Sequence, residues 1–171
     1  VRPLIEEAVE AAAAQAPRHV VFHNEAAPDV EIDADRDQLF RILTNLVRNA
    51  VQAVEMAMLS GLVAGEGQVR VTAWREGSVT AIEVRDNGPG LPDKVREHLF
   101  EAFRGAGRAG GTGLGLAISA ELTRAHGGEL KLVERDGGGA TFRVIIPDRV
   151  SELRPGRRGV RNGEDPARAT T

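Results

Sequence analysis

Cysteine is absent from the chain, which excludes a disulfide framework and any thiolate metal site. Aromatic side chains are scarce, with five phenylalanines and one tryptophan, and the net charge is -3. A nucleic-acid surface normally needs basic clusters with stacking platforms, which this composition does not supply. No apolar run reaches membrane-spanning length and no signal peptide opens the sequence, so any membrane attachment is expected to belong to sequence outside these residues. There is no Walker lysine motif and no His-Glu-x-x-His pair, and the four histidines lack ligand-like spacing, so a zinc enzyme is disfavoured.

What the chain has in quantity is glycine, 20 residues of 171, most of them between Gly88 and Gly139. Concentrated in this way, glycine marks binding loops rather than general disorder. The length fits one domain with a respectable core.

From Asp35 to about Leu59 there is no Pro or Gly, and Leu39, Ile42, Leu43, Leu46, Val47, Ala50 and Val54 recur at helical intervals. That arc predicts a helix facing a core. At about 100° per residue, Asn45, Asn49 and Gln52 fall together on the other side, flanked by Arg41 and Arg48. Carboxamides in register can ligate a cation or donate to phosphate oxygens, although one asparagine pair alone reads as the solvated face of an amphipathic helix.

Two downstream blocks change that reading. Val79 to Val84 alternates as a strand does and runs into Asp86-Asn-Gly-Pro-Gly90. An aspartate at a strand end can accept a hydrogen bond from an exocyclic amine, and glycines let the backbone approach a planar base. Then Gly110-Gly-Thr-Gly-Leu-Gly-Leu116 opens a helix that stops at Gly127-Gly128. Amides at a helix N-terminus attract phosphate without a lysine. Gly105 to Gly110 also satisfies GxGxxG, but no strand is expected before it, so a dinucleotide-binding turn is improbable.

With these blocks the chain resembles the catalytic, ATP-binding domain of a bacterial sensor histidine kinase, in the wider Bergerat-fold ATPase and kinase superfamily. The resemblance spans about Val1 to Asp148 and includes an asparagine box at Asp37 to Ala53, a first glycine box at Asp86 to Gly90 and Phe100-Glu-Ala-Phe103. It continues through a second glycine box at Gly111 to Gly115 and a last glycine cluster at Gly137 to Gly139. It implies ATP and Mg²⁺ as ligands. Asn49 would ligate the metal with Asn45 beside it, and Asp86 would read the adenine amino group. Gly88 and Gly90 would shape the base pocket, while Gly111, Thr112, Gly113, Leu114, Gly115 and Leu116 would cradle phosphates. Gln52 would belong to the same lining, and Thr141 would close the adenine end. Leu91 to Gly110 would form a mobile lid anchored by Phe100 and Phe103.

The chain also departs from the family pattern. Many histidine kinases carry a lysine where Gln52 stands, so Arg48, Arg104 or Arg108 is expected to supply that charge. ATP-hydrolysing relatives place a glutamate one helical turn before the metal-binding asparagine. Here that residue is Asn45, and a carboxamide cannot take a proton near neutral pH. Transfer to an imidazole therefore fits better than hydrolysis, since phosphoryl transfer needs mainly positioning and charge neutralisation. The alternatives are a Bergerat-type ATPase and a nucleotide-binding scaffold without catalysis.

None of His19, His23, His98 and His126 is followed by an acid, so the phosphoacceptor is expected on a separate histidine-bearing dimerisation domain. The resemblance further implies a downstream response regulator, a homodimeric full-length protein, a monomeric isolated domain, and a cytoplasmic setting or the cytoplasmic face of the inner membrane.

Arg18 to Asn24 and Val30 to Asp33 read as strands, Gln68 to Trp74 and Val79 to Arg85 as a hairpin, and Leu130 to Glu134 and Ala140 to Ile146 as a second hairpin. Helices are expected from about Pro3, Asp35, Pro92 and Gly113. Elements that cluster rather than alternate point to a two-layer α/β sandwich, with a mixed, largely antiparallel sheet of about five strands on about three helices. Residues 149–171 read as a disordered, mildly basic tail.

Overall fold

A computed structural model describes residues 1–14, 16, 19–63, 65–101, 113–134 and 137–148. Among these residues five strands form one sheet: β1 (Val20–Asn24), β2 (Gly67–Glu76), β3 (Val79–Asp86), β4 (Glu129–Leu132) and β5 (Thr141–Pro147). Their order is β1-β2-β3-β5-β4. β1 runs parallel to β2 and every other pair is antiparallel, giving the mixed sheet expected. The helices are α1 (Arg2–Ala13), α2 (Arg36–Leu59), α3 (Asp93–Arg96) and α4 (Gly115–Ala125). Three of them make the helical layer, and α3 is a single turn at the start of the lid segment.

Period-two burial explains the sheet. Val69, Val71 and Ala73 of β2, Ile82 and Val84 of β3, and Phe142, Val144 and Ile146 of β5 are buried on one face. They join the α2 arc, Leu39, Ile42, Leu43, Leu46, Val47, Ala50 and Val54, in one core. α2 packs on α1, on α4 and on the first three strands, while α4 also packs on β4 and β5. On the opposite face Glu83 is held by Arg143 at 2.5 Å, and the Arg143 guanidinium lies 5.4 Å from the centre of the Trp74 ring.

The ends of α2 and α4 are tied together. Asp35 caps α2, its side chain accepting from the Gln38 amide at 2.9 Å. The Asp35 amide donates to Nε2 of His126 at 3.0 Å, and Nδ1 of His126 lies 2.8 Å from the Leu122 carbonyl. This geometry calls for the tautomer with its proton on Nδ1.

Val30 to Asp33, expected as a strand, is a loop instead. Its carbonyls are taken by groups outside any ladder: the Val1 nitrogen donates to Val30 O at 3.1 Å, and the Thr80 hydroxyl donates to Glu31 O at 2.9 Å. β4 also starts and ends earlier than the apolar run suggests, although Val133 N still donates to Thr141 O at 2.8 Å. The expected tail, 149–171, lies outside the described residues.

Removing the α2 cap with Asp35→Ala is expected to lower stability by about 1 kcal/mol in denaturant unfolding. A second expectation concerns the exit of β5, where Arg75 donates to both Asp148 oxygens at 2.8 and 2.6 Å. This pairing holds the Asp148 carboxyl below its usual range, chiefly through the hydrogen bond from Arg75. A depressed folded-state value means that the stabilisation is present above the ordinary aspartate range and is lost as pH falls through the folded value. The melting-temperature difference between the native chain and Asp148→Asn should therefore be largest near neutral pH and vanish in acid.

Candidate functional site

Three segments meet on one side of the middle of α2. Asn45, Asn49 and Gln52 are all half-buried on this helix. Asn45 is committed: its Nδ2 donates to Gly115 O at 3.3 Å and to Ser119 Oγ at 3.4 Å, so it grips the first turn of α4. Ser119 Oγ in turn donates to Gly115 O at 2.9 Å. The carboxamides of Asn49 and Gln52 make no hydrogen bond with any described residue. Half-buried amides of this kind keep donor and acceptor capacity that no described residue uses.

The second segment is the end of β3. Asp86 is only 4% exposed, and its Oδ1 accepts from the amides of Gly88 at 2.8 Å and Ala140 at 3.2 Å. Two backbone donors fix the orientation of this buried carboxyl group. The turn can form only because side chains are missing. A Cβ on Gly139 would lie 1.9 Å from the Asp86 carbonyl oxygen, and Gly139 has φ +78°. A Cβ on Gly88 would lie 2.8 Å from Oδ1 of Asp86 and 3.3 Å from the carbonyl of Ala53 on α2. Gly90 packs in the same way against the Gly139 carbonyl. Asn87 points away from the site and fastens the turn to β2, donating to Glu66 O at 3.1 Å and accepting from the Gln68 amide at 2.8 Å.

The third segment is the N-terminus of α4. Gly113 has φ +70°, Leu114 caps the helix and Gly115 is its first residue. Leu116 packs partly buried against the core. The positive end of the helix dipole thus sits beside Asn45. Gly111 and Thr112, named for the same cradle, lie outside the described residues, as do Phe103, Arg104, Arg108 and the GxGxxG stretch.

The structure does not bring Thr141 to this site. It stands opposite Arg85 in the β3–β5 register, and Asp86 is the next residue, so the Thr141 side chain leaves the other face of the sheet. The residue beside Asp86 is Ala140, which acts through its amide. Ala140 and Ser119 are the two site residues that the sequence reading missed. Ser119 was recoverable, because it lies one helical turn beyond Gly115; Ala140 depended on a strand register known only once β3 and β5 pair.

The described part of the lid segment is anchored. Leu91, Leu99 and Phe100 pack on the core, and Arg96 donates to Leu91 O at 3.0 Å and to Glu134 at 2.9 Å. Between it and the β4–β5 connection lies an open cavity of about 600 Å³, which reaches the Asp86 turn at Gly139 and Ala140. Among the described residues no group of three or more His, Asp or Glu side chains could hold a metal on its own, and no helix is long and apolar enough to cross a membrane.

Comparison with known proteins gives a consistent result. Residues 34–150 match the family described as histidine kinase-, DNA gyrase B-, and HSP90-like ATPase. The chain is 38% identical over 128 residues to nitrogen regulation protein NtrY of Azorhizobium caulinodans, covering 74% of this chain and 16% of that protein. It is 35% identical over 150 residues to sensor histidine kinase component HK1 of Mycobacterium tuberculosis, covering 86% of this chain and 81% of HK1. Among solved structures, the catalytic domain of histidine kinase ThkA superposes with a TM-score of 0.73 at 28% identity, covering 86% of this chain and 92% of that one. The chain thus spans about a sixth of NtrY but most of HK1. The buried acid at a strand end, the carboxamide-bearing helix and the glycine-opened α4 occur within that matched stretch, and the chain belongs to the histidine kinase-, DNA gyrase B- and HSP90-like ATPase family, where it corresponds to the ATP-binding catalytic domain of sensor histidine kinases.

Proposed function

We propose that this domain binds Mg-ATP and delivers its γ-phosphoryl group to a histidine on a separate helical domain of the same protein, from which a response regulator would draw it. The observation that carries the reading is the arrangement along α2. A buried, amide-oriented Asp86 stands at one end, the glycine-opened start of α4 at the other, and the carboxamides of Asn49 and Gln52, with no hydrogen-bond partner among the described residues, lie between them.

In this reading Asp86 accepts from the adenine amino group, and the Gly88–Gly90 turn lets the base lie against backbone. Closure of the adenine end falls to the Ala140 backbone rather than to Thr141. The α4 N-terminus, with Gly113 to Leu116, takes the phosphates. Asn49 supplies a hard carboxamide oxygen that suits Mg²⁺, an ion commonly bound by one or two protein groups plus substrate phosphates. When bound, Mg²⁺ would neutralise charge on the phosphate oxygens. Asn45 positions α4 rather than taking a proton, so no base is built in at the point where hydrolysis would need one. The incoming imidazole brings its own lone pair. Its nitrogen forms the bond to the γ-phosphorus as the bond to the bridging β-phosphate oxygen breaks, and ADP leaves.

Two measurements test this. With the histidine-bearing domain supplied and the γ-phosphate labelled, an acid-labile, base-stable phosphoprotein should form. Asn49→Ala should lower its rate of formation by about a hundredfold or more. Steady-state release of phosphate by the isolated domain, without transfer, would instead favour an ATPase. For the adenine end, ATP with Mg²⁺ at a hundredfold excess over Kd should stabilise the native chain by about 2.7 kcal/mol, and Asp86→Asn should lose most of that gain while remaining folded. A full ATP shift in the Asp86→Asn chain would remove Asp86 from the adenine site.

A further inference from the structure

Phosphoryl transfer to a histidine on another domain requires a docking surface that borders the phosphate end of the site. α2 is enclosed on three sides, by α1, by α4 and by the sheet. Its fourth side is an outer stripe that carries, in helical register, Arg41, Arg48, Gln52, Met56 and Leu59, about 27 Å from first to last. Asn45 lies along the edge of this stripe.

Two features distinguish it. Most described arginines hold a carboxylate, as in Arg36–Glu7, Arg70–Glu25, Arg75–Asp148 and Arg143–Glu83. Arg41 and Arg48 are exposed and make no ion pair or hydrogen bond with any described residue. At the other end, Met56, Leu59 and Leu62 are 44%, 83% and 70% exposed, and they are the only exposed large apolar residues among those described. Single exposed leucines are ordinary, but here all three gather at one helix end. They are also held in place, since the amides of Leu62 and Val63 both donate to Ala57 O, at 2.9 and 3.3 Å, and Ser60 Oγ donates to Met56 O at 2.8 Å.

We propose that this outer stripe of α2 is the docking surface for the histidine-bearing helical segment. That segment would be an amphipathic helix with acidic side chains toward Arg41 and Arg48 and apolar side chains toward Met56, Leu59 and Leu62. The inference rests on the kinase reading above. Charge complementarity beside the phosphate end would set the approach of the imidazole, and the apolar end would supply the buried contact.

The test uses two surface variants of this chain, Arg41→Glu, and Leu59→Ser with Leu62→Ser. The separately produced histidine-bearing domain of the same protein serves as acceptor, and direct binding, phosphotransfer and ATP affinity are all measured. The expected result is a rise of about tenfold in both Kd and KM for the acceptor in each variant, with ATP affinity and the rate at saturating acceptor unchanged. Unchanged acceptor binding in both variants overturns the proposal. A fall in ATP affinity in the arginine variant would overturn it in favour of a phosphate contact. Loss of self-association with unchanged acceptor KM would overturn it in favour of a contact between two copies of the chain. If the native pair binds but transfers nothing, the kinase reading fails, whereas the surface still stands or falls on the binding measurement.

Discussion

Burial of one arc of α2 against the sheet sets the position of everything else in the domain. Leu39, Ile42, Leu43, Leu46, Val47 and Val54 are at most 1% exposed. At about 1.5–3 kcal/mol for each large aliphatic side chain removed from water, this seam is the largest favourable term that a single element contributes. Because a helix is rigid, fixing its apolar arc also fixes its polar one, so Asn45 and Asn49 are presented at a set depth and angle. α1 and α4 dock on the flanks of the same helix, and α4 arrives with its N-terminus against Asn45.

Where α2 supplies position, the glycine turns supply proximity. Asp86 is buried, which is tolerable because two amides point at one of its oxygens. Those amides come from Gly88 and Ala140, in segments that meet only because Gly139 leaves no Cβ against the Asp86 carbonyl. The Asp86 turn is therefore built from backbone, and side chains other than Asp86 contribute by being absent. The start of α4 follows the same logic, with Gly113 and Gly115 opening a helix whose N-terminus needs backbone rather than side chains there.

Much of this was legible in the residues. The α2 arc could be read because its period is sustained over more than six turns without Pro or Gly, and its start at Asp35 because a capping aspartate precedes the pattern. The hairpin of β2 and β3 was marked by Glu76-Gly77 between two alternating runs. Val30 to Asp33 misled because a short apolar alternation looks the same whether its backbone groups meet a neighbouring strand or, as here, the Val1 nitrogen and a threonine hydroxyl. Thr141 misled for a different reason. A displacement of one residue along a strand moves a side chain to the other face of the sheet, and the residue facing Asp86 turned out to be Ala140.

The sequence by itself determined the elements whose signals are local: the two-faced helix, the acid at a strand end, the glycine-opened helix and the neutral residue at Asn45 where a glutamate would mark hydrolysis. It could do so because helix period, turn chemistry and the proton affinity of a side chain are properties of a short segment. Only the tertiary structure decided that Asn45 reaches α4 through its Nδ2 while the Asn49 and Gln52 carboxamides meet no hydrogen-bond partner among the described residues, and that Ala140 orients Asp86. It alone left Arg41 and Arg48 without a partner among the described residues. Those outcomes depend on which groups from distant segments come within hydrogen-bond reach, and strand register and helix docking set such distances.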